Sequence, residues 1–183
     1  MRKIIIAGSA GVGKSTLARK LSKKLEVPHI ELDHLFWLPG WKPRSEAERK
    51  AIAREKIEGL SEWILCGNHF YLSDITLGKA DTVVWLDYPL RISLWGVFKR
   101  AIRSVIKKEK IVGANVETAA RLFSPKRSIL LYTVRTYGQS RKHYSNMMNS
   151  SEYKHVKFIC LRSRKEMREW LKRIQKKSNS ILQ

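Results

Sequence analysis

Carboxylates are scarce in this chain. Its 183 residues include 16 Asp and Glu against 37 Lys and Arg, a formal net charge of +21. The deficit is local: residues 91–183 hold 5 acidic and 23 basic residues, whereas residues 1–90 hold 11 and 14. A field of that sign disfavours cationic partners and favours polyanions such as nucleotides or nucleic acid. Cysteine is nearly absent as well, with only Cys66 and Cys160, both inside apolar, strand-like runs. That excludes a disulfide framework and any Cys/His segment with zinc-ligand spacing, and it predicts buried free thiols. Long apolar runs are missing: nothing approaches the roughly 20 residues that cross a bilayer. The opening Met1-Arg2-Lys3 followed by Ile4 to Ala7 is too short an apolar run for a signal peptide. The expectation is a cytoplasmic protein with no membrane partner. Repeats and low-complexity segments are lacking too. The length predicts a single domain over 1–183 that buries roughly 70% of its unfolded surface.

Hydrophobic periodicity orders the chain. Ile4 to Ala7, His29 to Leu32, Trp63 to Gly67, Thr82 to Leu86 and Val156 to Leu161 read as strands, being short, apolar and rich in β-branched residues. Helical spacing of Leu17, Ala18, Leu21 and Leu25 predicts a helix over 15–25. Capping boxes at Ser45/Glu48 and Ser163/Glu166 open helices over about 46–59 and 164–174. Pro89 opens another that runs to about Lys107, and Ser124-Pro125 opens one carrying Ile129, Leu130, Val134 and Tyr137. Residues 33–44 and 107–124 read as loops, and the tail from Lys176 to Gln183 reads as frayed. Strands alternating with helices predict an α/β fold with a parallel, doubly covered sheet.

One motif carries chemistry directly. Gly8, Gly13, Lys14 and Ser15 satisfy G-x-x-x-x-G-K-[ST], with a β-branched strand before and a helix after. Glycines let successive N–H groups point at phosphate oxygens, and the helix N-terminus adds donors and a positive dipole end. Gly8, Ala10, Gly11, Val12, Gly13, Lys14, Ser15 and Thr16 are therefore the candidate nucleotide-binding residues. Lys14 is placed for the β- and γ-phosphates, Ser15 for Mg²⁺ and Thr16 for the α-phosphate. A purine nucleoside triphosphate with Mg²⁺ is the expected ligand. No Asn-Lys-x-Asp segment is present, which excludes a guanine-nucleotide switch.

The chain resembles the small P-loop kinases of the adenylate and shikimate kinase type. It is most similar to the group called DNA topology modulation proteins. The resemblance runs through Gly8–Thr16, Leu32–Trp37 with Pro39-Gly40-Trp41, Trp63–Asn68, Ala80-Asp81, Val84–Pro89 and Leu161-Arg162-Ser163. It implies a three-layer P-loop NTPase fold with a five-stranded parallel sheet, an acceptor region over about 33–80 and a helical lid over about 100–127. It implies an ATP-dependent kinase acting on a nucleotide or another small hydroxyl or phosphate acceptor. Asp33 would orient the acceptor or hold the metal, Arg100 would clamp the moving phosphoryl group, and Arg162 would frame the adenine. Arg103 shares the face of Arg100, with Arg121, Arg127 and Arg135 as further candidates. Trp37 and Trp41 would stack on an acceptor or else form a satellite core.

One position departs from the pattern. Related kinases carry Asp at the end of the third strand, where it organises magnesium; this chain has Cys66, followed by Asn68 and His69. Asp33 and Asp87 are the carboxylates left to compensate. The alternative reading is a nucleotide-dependent, nucleic-acid-associated protein, suggested by the basic second half and by Tyr132, Tyr137 and Tyr144.

Overall fold

The computed structural model describes residues 1–67 and 69–174. The chain begins with β1 (Lys3–Gly8), α1 (Lys14–Leu25) and β2 (His29–Glu31). The short α2 (Leu32–Phe36) follows, then β3 (Trp37–Leu38), β4 (Lys42–Pro43), α3 (Glu46–Ile57) and β5 (Trp63–Cys66). After 3₁₀ turns flanking α4 (Ser73–Thr76) come β6 (Thr82–Leu86) and the long α5 (Leu90–Lys107). The second half adds β7 (Lys110–Val112), β8 (Asn115–Val116), α6 (Ala119–Leu122), α7 (Ile129–Asn149), β9 (Lys157–Leu161) and α8 (Arg164–Arg173).

The main sheet has five strands in the order β2-β5-β1-β6-β9, all paired in parallel. Its centre is β1, whose Ile4, Ile5, Ile6 and Ala7 are all buried. A strand covered on both faces needs no polar alternation, which is why it reads as an unbroken apolar run. Ile4 and Ile6 join Leu17, Leu21, Met167 and Trp170 on one face. Ile5 and Ala7 join Ala53, Ile57, Ile75, Tyr144 and Met147 on the other. The molecule is thus three layers, with α1 and α8 on one side of the sheet and α3, α4 and α7 on the other. Parallel strands put the loops that follow them on one edge, and the site lies there.

The Ser45/Glu48 capping box forms in full. At the second, the Ser163 hydroxyl accepts from Glu166 N–H, but the Glu166 carboxylate takes the Arg162 N–H and the Ser163 hydroxyl instead of the Ser163 N–H, so only half of the box is made. Other boundaries differ. Leu32 opens α2 instead of ending a strand, so Asp33 sits in the first turn of a helix. The expected loop at 33–44 contains the β3–β4 hairpin, and that at 107–124 contains the β7–β8 hairpin and α6. Helix α7 starts at Ile129 after Ser128, beyond Ser124-Pro125. The hairpins meet each other: Trp41 N–H donates to Asn115 Oδ1 at 2.8 Å, and Asn115 Nδ2 donates to the Leu38 carbonyl at 3.0 Å. Ser104 of α5 anchors the second hairpin, accepting from Glu117 N–H and donating to the Glu109 carbonyl. Among the described residues, no helix is long and apolar enough to cross a membrane. The expectations for Asn68 and for the tail lie outside the described residues.

Candidate active site

The loop between β1 and α1 ends in a left-handed turn. Gly13 caps α1 with φ of 103° and brings no side chain to the first N–H groups of the helix. Those donors and the positive end of the helix dipole are left to an anion. The loop leans on α5. A Cβ added to Gly96 would overlap the Gly11 carbonyl, and one added to Gly11 would overlap the Ser93 carbonyl. Glycine at both positions is what lets loop and helix touch. Arg100 stands one helical turn beyond Gly96, on the same face of α5.

Lys14 lies at the centre of the charged groups. Its Nζ donates to the Gly8 and Ser9 carbonyls at 2.9 and 3.0 Å. Burial pulls its pKa below the ordinary lysine value; Cys66, Asp33 and Glu31 oppose that pull, and Arg100 adds to it. Asp33 belongs to the same cluster. Burial alone would raise its carboxyl, but the hydrogen bond and charge of His69, then Lys14 and Arg100, hold it below its ordinary value. His69 Nε2 stands 2.9 Å from Asp33 Oδ1 and donates to it, while Tyr71 OH reaches His69 Nδ1 at 3.4 Å. The Arg100 guanidinium interacts with Asp33, Glu117 and Glu31. Asp33 is half-buried and Arg100 is exposed, so both keep contact with water.

Cys66 forms the floor. It is 2% exposed, and its Sγ lies 3.9 Å from Ser15 Oγ. Burial pushes the thiol up to about 12, against the pull of Lys14. It is therefore neutral at physiological pH and supplies no magnesium-ordering charge. Asp87 does not replace it: Arg141 grips both its oxygens, at 2.7 and 3.0 Å, on the other face of β6 from Cys66's cluster. The carboxylates within electrostatic reach of Cys66, the neighbour of Ser15, are Glu31 and Asp33. The donors thus fit a triphosphate through the glycine loop, Lys14 and the free helix end. For magnesium they provide the Ser15 hydroxyl with two carboxylates nearby.

The other expected residues divide. Val12 is buried beneath the loop and Thr16 is exposed at the start of α1. Arg103 faces Glu109 at 4.0 Å. Arg121 pairs with the buried Glu117 and stacks over the Trp41 ring, 4.3 Å from its centroid. Arg127 and Arg135 are exposed. Arg162 donates its backbone N–H to Glu166, and it lines a hollow with Trp85, Asp87, Arg141 and Lys142 that shares no residue with the Lys14 cluster. Trp37 and Trp41 pack edge to face, and Trp41 Nε1 donates to the Val116 carbonyl, so the pair is a satellite core between the hairpins. Tyr144 is a core residue, Tyr137 donates to the Tyr88 carbonyl, and Tyr132 is exposed within electrostatic reach of Asp33. Sequence reasoning missed Glu31 and Arg141. The alternation of His29 and Glu31 on a strand running into Asp33 was the available signal for the first.

No family model matches the chain. It is 35% identical over 94 residues to the uncharacterized protein YqaC of Bacillus subtilis (strain 168), a match covering 51% of this chain. The chain spans about half the length of that curated relative, 53%. Among solved structures it is similar to shikimate kinase from Acinetobacter baumannii, in complex with shikimate. That match has a TM-score of 0.59 at 14% identity, covering 94% of this chain and 89% of that one. Deoxyadenosine kinase from M. mycoides, solved with bound dATP, superposes with a TM-score of 0.57 at 14% identity, covering 94% and 97%. At such identities the likeness is one of fold: this chain has the three-layer α/β fold of the small P-loop kinases.

Proposed function

We propose that the protein is an ATP-dependent phosphotransferase that moves the γ-phosphoryl group of ATP to a small acceptor bearing a hydroxyl or phosphate group. The observation that carries this reading is the glycine loop with Lys14 beside the uncapped N-terminus of α1, with Asp33 and Arg100 within electrostatic reach of Lys14. Gly8, Ala10, Gly11, Val12 and Gly13 wrap the phosphates, and Lys14 exchanges its two carbonyl partners for β- and γ-oxygens. Mg²⁺, held by Ser15 and the phosphates, would neutralise charge on the triphosphate. Asp33, kept ionised by His69, orients the acceptor hydroxyl and takes its proton as the oxygen bonds to the γ-phosphorus and ADP leaves. Arg100 stabilises the charge spread over the phosphoryl oxygens in transit. Arg162 frames the adenine from beyond β9. The acceptor enters between α2 and the 3₁₀ turn after His69, beneath the hairpin lid.

The kinship with DNA topology modulation proteins belongs to the same proposal and rests on Asp33, Trp37 and Trp41 together with the glycine loop. The excess charge of residues 91–183 supports a second reading, salt-sensitive binding of nucleic acid. One experiment decides between them. The protein is incubated with ATP and Mg²⁺ and a panel of deoxynucleosides, nucleoside monophosphates and polyhydroxy acids. ADP release that depends on an acceptor supports the kinase; hydrolysis stimulated by DNA alone sinks it.

A further inference from the structure

The sequence has no zinc-spaced motif, yet two strands assemble a set of metal-ligating side chains. His29 and Glu31 alternate on β2 and so project from one face, and Cys66 of β5 is the register partner of Glu31. A ring nitrogen, a carboxylate oxygen and the sulfur all lie within 4.8 Å of one another. Tetrahedral bonds to one ion need ligand atoms about 3.3–3.8 Å apart. Ligation therefore requires the three side chains to draw in around the ion. A second observation points the same way: His29 Nε2 is buried and has no hydrogen-bond partner. Such an atom is costly, and a bound ion satisfies it.

We infer that His29, Glu31 and Cys66 hold one divalent ion of the zinc class, bound without nucleotide, with its remaining position open toward Ser15. Thiolate with imidazole selects Zn²⁺ or Co²⁺ over Mg²⁺, which prefers an all-oxygen shell. Glu31 and the Cys66 thiolate bring two negative charges to a divalent ion. The thiol proton passes to solvent as the sulfur–metal bond forms. Three protein ligands leave a fourth position for water or a phosphate oxygen. Since Ser15 Oγ is 3.9 Å from the sulfur, that position borders the glycine loop. The departure at Cys66 then has a purpose: the chain exchanges a magnesium-ordering carboxylate for a ligand of a softer metal. This inference does not rest on the kinase reading, because no nucleotide takes part.

The test uses chelator-treated, full-length protein titrated with Co²⁺ in the absence of nucleotide. One ion per chain should bind with a thiolate-to-cobalt charge-transfer band, displaced by Zn²⁺ but not by a large excess of Mg²⁺. Cys66→Ser should abolish the band, and His29→Gln should weaken Co²⁺ binding at least about tenfold. Cys160→Ser removes the other free thiol and should change neither. No saturable band, a band surviving Cys66→Ser, undiminished affinity in His29→Gln, or a band lost with Cys160→Ser would each overturn the inference. Since His29→Gln keeps size and polarity, the inference stays testable should Cys66→Ser misfold.

Discussion

Gly11 and Gly96 touch backbone to backbone, and no side chain fits between them. This contact seats α5 on the glycine loop and thereby fixes where Arg100 stands. Gly96→Ala should force the two apart, destabilising the fold by about 1–3 kcal/mol, as overpacking does. Urea unfolding would read the loss. ATP affinity should fall with it, and unchanged stability would show that the contact is slack.

In the proposed reaction His69 acts through Asp33, to which it hydrogen-bonds. With the imidazole removed, burial is left as the largest influence on the Asp33 carboxyl and raises it. His69→Ala should therefore move the acid limb of the pH–rate profile to higher pH and lower kcat about tenfold or more, with KM for ATP little changed. The linkage sign follows. The folded carboxyl lies below its ordinary value of 3.8, so its stabilising contribution is full above that value and is lost as pH falls through the folded pKa. His69→Ala should weaken that acid-side dependence. An unmoved acid limb would assign His69 a packing role only.

Asn115 joins the two hairpins through Trp41, Leu38 and Val112. Asn115→Ala strands those groups and should cost about 1–3 kcal/mol locally. Limited proteolysis should cut the hairpins faster, and KM for the acceptor should rise. Wild-type protease resistance would mean that the clasp is dispensable.

Cys66→Asp restores a carboxylate beside Ser15. Turnover with Mg²⁺ should rise about tenfold or more, while the cobalt charge-transfer band disappears. Turnover at or below wild type would show that the missing carboxylate does not limit the reaction.

Much of this arrangement was legible before the structure. Ile4 to Ala7 and Thr82 to Leu86 announce buried parallel strands because no polar residue interrupts them. The capping boxes announce helix starts because donor and acceptor lie three residues apart. Hairpins of two- and three-residue strands, such as Trp37–Leu38 with Lys42–Pro43, leave no period to detect. Asp33 was legible by resemblance, but its partner His69 is 36 residues away. Arg141, which disposes of Asp87, is 54 residues from it. The metal-ligand set is equally opaque, since β2 and β5 meet only through the sheet. Tertiary contacts of this kind have no local spacing to betray them.

The central claim is that the glycine loop and its cleft form a phosphotransfer site. Its most direct test is acceptor-dependent ADP release measured side by side in wild type and Lys14→Ala, with ATP affinity measured on the same samples. Release stimulated by at least one small acceptor is expected in wild type. In Lys14→Ala, ATP affinity should fall at least about a hundredfold and release should vanish. Undiminished ATP affinity in Lys14→Ala, or wild-type release indifferent to every small acceptor, would contradict it.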